Sequence, residues 1–194
     1  MKSFTVSLIF FIASLVVYYF AGKYATLKQS NYVTDIVLSN IRVYDVDFIF
    51  VYGAFAFSFF VALLCFYEPK KIPFTLKTIA LFVIIRSVFI SLTHIAPFPS
   101  QIAIDPNTFM SYFFVGGDLF FSGHTGLPFL LALIYWKNIR LRILFIALSL
   151  TFGAVVLMGH IHYSIDVLSA FFISYGIYRL SEIFFKNDHA RYHT

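Results

Sequence analysis

Six apolar runs recur along this 194-residue chain, each near the roughly 17 to 25 residues that carry a helix across a bilayer. They fall at Phe4 to Phe20, Phe48 to Tyr67, Thr78 to Ala96, Leu119 to Trp136, Ile143 to Gly159 and Ile165 to Phe185. Inside lipid no water satisfies a peptide group, so spans of this length must be helices. The expected fold is therefore all-α: a polytopic membrane protein whose six transmembrane helices form a single domain over residues 1–194. Composition agrees, with 60% hydrophobic residues, 12% charged residues and a mean hydropathy of +0.86, against about 25% charged in a soluble domain. The first run follows Lys2 and precedes Ala21 and Gly22, as a secretory signal would. Its apolar stretch exceeds the roughly 7 to 15 residues of a signal core, which predicts a retained first helix.

Lys and Arg collect in cytoplasmic connections. The N-terminus, second loop, fourth loop and C-terminal tail hold nine of them (Lys2, Lys70, Lys71, Lys77, Lys137, Arg140, Arg142, Lys186, Arg191), whereas the first, third and fifth loops hold three (Lys23, Lys28, Arg42). Both termini are thus expected in the cytoplasm, with the odd-numbered loops facing the periplasm, the cell exterior or an organelle lumen. The sequence pI of about 9.3 follows from this topology and gives no reason to expect nucleic-acid binding. The single cysteine, Cys65, lies in the second run and excludes an intrachain disulfide.

Two connectors carry information. Between Lys23 and Asp47, the residues Val33, Ile36, Val37 and Ile41 recur at helical spacing and predict a short amphipathic segment along the outer interface. From Ala96 to Gly117, Pro97, Pro99 and Pro106 disfavour continuous helix, while Phe109, Met110, Tyr112, Phe113 and Phe114 suit a lid or lipid-entry lip.

Against this apolar background two polar blocks stand out: Gly116 to Gly126, with Asp118, Ser122, Gly123 and His124, and His160 to Asp166. Ionisable groups in membrane segments are costly and mark functional sites. Threading the helices puts the first block at the outer end of the fourth helix and the second at the start of the sixth, so the two share a face. His162 and Asp166 are four apart, and on a helix the carboxylate would hold one ring nitrogen as an N–H donor and free the other for attack. His124 on the neighbouring helix is then the natural general acid and base. The plainer readings are that Ser122, Gly123, Thr125 and Gly126 permit close helix packing and that Asp118 caps the fourth helix. Pro128 removes the helical hydrogen bond to the carbonyl of residue 124 and loosens the backbone there.

Arg86, near the middle of the third run, should have an anionic partner, since such a residue costs about 2.5 to 3.5 kcal/mol on insertion scales. It is read either as a clamp for a phosphate oxygen or as a structural pair with Asp118 or Asp166. His160, His162 and Asp166 also raise a metal site, but residues two apart face different ways on a helix, so no metal is expected.

Taken together, these residues resemble the sphingomyelin synthase branch of the type 2 phosphatidic acid phosphatase superfamily. Arg86 and Ser87 with Thr93 and Pro97 form the first matching block, Gly117 and Asp118 with Ser122 to Thr125 the second, and His162 to Val167 the third. The likeness covers about the last two thirds of the chain. It implies a phosphohistidine intermediate on His162, oriented by Asp166, with His124 handling leaving-group and acceptor protons; Arg86, Asp118, Ser122 and Gly123 are expected on the substrate side. It implies no cofactor and no metal. The phosphatase branch has an arginine six residues before the nucleophilic histidine and a lysine-arginine-proline pattern upstream; here Val156 takes the first place and nothing supplies the second. A dianionic monoester needs more cations than a singly charged diester, so the expectation tilts to an intact phospholipid.

The expected function is transfer of a phospho-head group from a phosphatidylcholine- or phosphatidylethanolamine-type lipid to a lipid hydroxyl such as ceramide. Hydrolysis by the same residues, as a lipid phosphatase or phospholipase C, is the near alternative. A proton or ion conduit is the distant one, and it would distribute ionisable groups through the membrane depth. Membrane lipids are the expected partners, and self-association into a homo-oligomer is left open.

Overall fold

In the computed structural model, which describes residues 2–102 and 118–192, the chain is built from α-helices and tight connections, with no strand among the described residues. The helices are α1 (Lys2–Leu27), α2 (Asp47–Tyr67), α3 (Ile72–Leu92), α4 (Gly123–Ile134), α5 (Ile139–Met158), α6 (Ser164–Phe184) and α7 (Lys186–Tyr192), with a single 3-10 turn at Pro69–Lys71. Five of them, α1, α2, α3, α5 and α6, are long and apolar enough to cross a membrane, which marks an integral membrane protein. Of the expected lip from Ala96 to Gly117, residues 103–117 lie outside the described residues.

The fourth apolar run departs from expectation. Rather than a helix from Leu119 to Trp136, α4 has 12 residues, about 18 Å at 1.5 Å per residue, against a hydrocarbon core of about 30 Å. Asp118 to Ser122 stay non-helical because the backbone carbonyls of Asp118 and Phe121 are used elsewhere, by Arg86. Ser122 then caps the helix, its hydroxyl oxygen accepting from Thr125 N–H at 3.3 Å.

Between lipid-embedded helices, packing and interhelical hydrogen bonds do the work that water-driven burial does elsewhere. α3 packs along α1, while α4 sits against α5 and α6. Ser149 of α5 donates to Thr125 O at 2.7 Å and Ser174 of α6 donates to Gly126 O at 3.1 Å, so two hydroxyls pin the first turns of α4. Gly126 has to be small: a Cβ there would stand 2.8 Å from Ser174 Oγ and 3.0 Å from the Phe82 ring. Phe57, Phe82, Phe121, Phe145 and Phe152 fill the space between these helices.

The bundle has two unlike ends. At one, Ser3 Oγ donates to Asp188 Oδ1 at 2.5 Å and Lys77 Nζ to Asp188 Oδ2 at 2.6 Å, joining the starts of α1 and α3 to α7. At the other, the α1–α2 connection lies across the starts of α6 and the ends of α3 and α5, through Ser30 N–H to His94 O at 2.8 Å and Tyr44 N–H to Met158 O at 2.9 Å. The predicted amphipathic helix is absent from this connection. A single turn at residues 36–40 replaces it, with Ile36 82% exposed and Leu38, rather than the predicted face, turned inward at 2%.

Asp35 organises that turn. Its carboxylate accepts from the N–H groups of Val37 (2.8 Å) and Leu38 (3.0 Å) and, across the fold, from Ser164 N–H (2.7 Å) and Ser164 Oγ (2.8 Å), so it caps α6 from a distant loop. Burial alone would raise its pKa, but the donors from Leu38, Ser164 and Val37 outweigh that and hold the carboxyl below the ordinary aspartate range. Asp35→Ala is expected to cost about 1 to 3 kcal/mol in a denaturant titration of the detergent-solubilised chain. The wild-type contribution is complete above the unfolded aspartate pKa of about 3.9 and is lost as pH falls through the lower folded value, so Asp35→Asn should flatten the acid limb of the stability curve.

Candidate active site

The segment His160 to Asp166 enters α6 through a cap that also sets a histidine. Tyr163 is the N-cap, and Asp166, in the first turn, reaches back so that its Oδ2 accepts Tyr163 N–H at 3.0 Å and lies 3.3 Å from His162 Nδ1. His162 therefore precedes the helix, and the expected pairing arises from a folded-back carboxylate rather than from stacking along a helical face. Asp166 is completely buried and His162 nearly so. With Nδ1 facing the carboxylate, Nε2 is the ring nitrogen that Asp166 does not engage.

His160 turns the other way. Its backbone has φ of 53°, its Nδ1 meets Ser100 Oγ at 2.7 Å, and its ring packs edge-on to Phe98. Among the described residues no three His, Cys, Asp or Glu side chains converge as metal ligands.

His124 lies in the first turn of α4, one residue beyond Gly123. Its ring stacks on Phe50 of α2 at 4.2 Å between centroids and meets the edge of Phe152 of α5 at 6.0 Å, which fixes the imidazole plane. The two polar blocks are tied directly through backbone, because Ser122 N–H donates to Asp166 O at 3.1 Å.

Arg86 completes the group from α3. Its Nε donates to Phe121 O at 2.8 Å and its Nη2 to Asp118 O at 3.2 Å, while Nη1 forms an ion pair with the Asp118 carboxylate. Tyr18 of α1 donates its hydroxyl to the same carboxylate and receives Arg86 Nη1 at 3.4 Å. Arg86 sits six residues before the end of α3, about 9 Å below it, nearer that end than the sequence implied. Gly123 makes room for the guanidinium, since a Cβ there would lie 3.3 Å from Arg86 Nε.

One cavity of about 330 Å³ is walled by Tyr18, Arg86, Asp118, Gly123, His124 and His162 among others. Of the predicted site residues, Arg86, Asp118, Gly123, His124 and His162 line it; Ser122 and Asp166 stand behind, as cap and as partner to His162. Sequence reasoning missed Tyr18 and Phe50, which read as ordinary aromatics of apolar runs, and Asp35, which reaches α6 only through the fold. No Lys or Arg lies between Arg86 and Lys137 in the chain.

Residues 115–183 match the family model described as PAP2 superfamily C-terminal. The matched stretch contains Asp118, His124, His162 and Asp166 and supports the type 2 phosphatidic acid phosphatase superfamily, whose members are typically enzymes acting on phosphate esters. Neither the curated proteins nor the solved structures contain a match to the chain.

Because Arg86 and Asp118 are both largely withdrawn from solvent, removing one leaves the other uncompensated. Arg86→Leu alone is expected to destabilise the chain by about 3 to 5 kcal/mol, and Arg86→Leu with Asp118→Leu by less. A double-mutant cycle on detergent-solubilised protein measures this; simple additivity would contradict the pairing.

Proposed function

We propose that this chain is a lipid phosphotransferase that moves a phospho-head group from a phosphatidylcholine- or phosphatidylethanolamine-type lipid to a lipid hydroxyl such as ceramide, in the manner of sphingomyelin synthases. The observation that carries the reading is the single cavity lined by His124, His162 and Arg86, with Asp166 bonded to the far side of His162. In the first step His162 Nε2 attacks phosphorus in line, the N–P bond forms, and the P–O bond to diacylglycerol breaks as His124 protonates the leaving oxygen. In the second step the acceptor hydroxyl attacks phosphorus, His124 takes its proton, and the N–P bond breaks to regenerate His162. Asp166 selects the tautomer and balances the positive charge that develops on the ring. Arg86, backed by Asp118, and the Gly123 N–H at the start of α4 form the phosphate side of the site.

Charge favours a diester over a monoester. Arg86 is the cation at the cavity wall, and its charge is already matched by Asp118; a dianionic phosphate would meet little net positive potential. Hydrolysis with water as acceptor uses the same residues, and products separate the two outcomes. The concentration of polar groups at one end speaks against a conduit. With the basic loops gathered at the end shared by Ser3 and Asp188, both termini belong in the cytoplasm and the site opens toward the periplasm, exterior or lumen.

Purified protein given head-group-labelled phosphatidylcholine or phosphatidylethanolamine should yield diacylglycerol and, with ceramide present, labelled acceptor lipid. His162→Ala should lower transfer by about three orders of magnitude or more, as expected when a nucleophile is removed. His124→Ala should slow both steps; wild-type transfer by His162→Ala would refute the mechanism.

A further inference from the structure

A second cavity adjoins the one that holds the two histidines. A space of about 360 Å³ lies between α1, α2, α3 and α4 and shares Phe57, Ser58 and Leu127 with the first. Apart from Ser58 and Cys65, every residue lining it is apolar. The lining follows one face of α2, from Phe50 and Ala54 beside the polar cavity through Phe57 and Val61 to Cys65, in steps of three or four residues. Phe50 to Cys65 spans about 22 Å of helix. On α1 the same track passes from Tyr18 and Leu15 to Phe11 and Phe4.

This track is open at the side. α1 packs on α3, and α2 leans on α5, without substantial contact between α1 and α2. Leu15, Ser58 and Ala62 along its rim are exposed. The slot therefore runs parallel to the helices, the direction in which acyl chains lie, and is longer than one leaflet of about 15 Å. It also adjoins the polar site, with Phe57, Ser58 and Leu127 common to both walls. A phosphate held at Arg86, about 9 Å below the end of α3, carries its glycerol carbons into the bundle, and the chains attached to them need an apolar exit at that depth.

We propose that the gap between α1 and α2 is the lateral opening through which a phospholipid enters, and that the second cavity holds one of its acyl chains with the terminus beside Cys65. The occupant is thus a long-chain lipid of the surrounding bilayer, and short-chain or soluble phosphate esters leave the slot empty. This rests on the phospholipid reading of the site, but occupancy of the slot is measurable without turnover.

Cys65, the only cysteine in the chain, reports on the slot directly. Full-length wild-type protein and His162→Ala in detergent are labelled with N-ethylmaleimide in the presence of mixed long-chain phosphatidylcholine, phosphatidylethanolamine and phosphatidate, or of the same three lipids with short chains. Long chains at saturating concentration should slow labelling about tenfold, in proportion to the unoccupied fraction, and short chains should not. In parallel, Ala62→Phe, which narrows the slot, should lower the ratio of kcat/KM for long-chain over short-chain donor by about tenfold. Labelling indifferent to chain length, or an unaltered ratio, overturns the proposal. Chain-dependent protection of Cys65 without any head-group transfer would uphold the slot and sink the phosphotransferase reading; transfer without such protection would do the reverse.

Discussion

A guanidinium inside a membrane protein must be surrounded by acceptors, and the way Arg86 meets that demand shapes the site around it. Two of its donors reach main-chain carbonyls, at Phe121 and Asp118, and a third reaches the Asp118 carboxylate. A helix beginning at Leu119 would turn those carbonyls into its own hydrogen-bond ladder. The chain instead stays irregular to Ser122, and α4 starts late and short. Non-helical backbone at this depth is tolerated only where protein groups satisfy it. The same irregular stretch brings Ser122 N–H onto Asp166 O and sets His124 against Phe50.

The start of α6 is built on comparable economy. N–H groups at a helix start need acceptors, and two buried carboxylates serve two of them: Asp166, from within the first turn, takes Tyr163 N–H, and Asp35, from the α1–α2 connection, takes Ser164 N–H. Asp166 uses one oxygen for both the cap and His162, so orientation of the imidazole is tied to helix formation itself. Asp35 acts on the helix start through Ser164, whose N–H and hydroxyl it accepts. Removal of either acid would therefore disturb the site by different routes, one through the ring and one through the backbone.

Polar and apolar halves of the molecule correspond to the two halves of an amphipathic substrate. Charged and imidazole groups occupy the cavity near the ends of α3 and α5, while the slot beneath it is walled by phenylalanine, leucine and isoleucine. α1 and α2 lack substantial contact with each other, and in the proposed reaction this gap would let donor and acceptor lipids reach the site from the bilayer.

Much of this architecture was legible in residue order. Long apolar runs demand helices in lipid, and His124, His162, Asp166 and Arg86 stand out because ionisable groups are costly there. Those inferences rest on local chemistry, which a linear sequence contains. The fourth span was overestimated because its length depends on Arg86, thirty-odd residues earlier, drawing on its carbonyls. The His162–Asp166 pair was expected on a helix, but the cap at Tyr163 places the imidazole ahead of it. Tyr18, Phe50 and Asp35 acquire their roles only when distant segments meet, and the slot exists only because α1 and α2 pack on different neighbours. Sequence alone thus determined that the chain is built of long apolar helices and which ionisable side chains stand out among them; tertiary structure decided which of them touch, because hydrogen-bond partners and voids belong to pairs of helices rather than to any one.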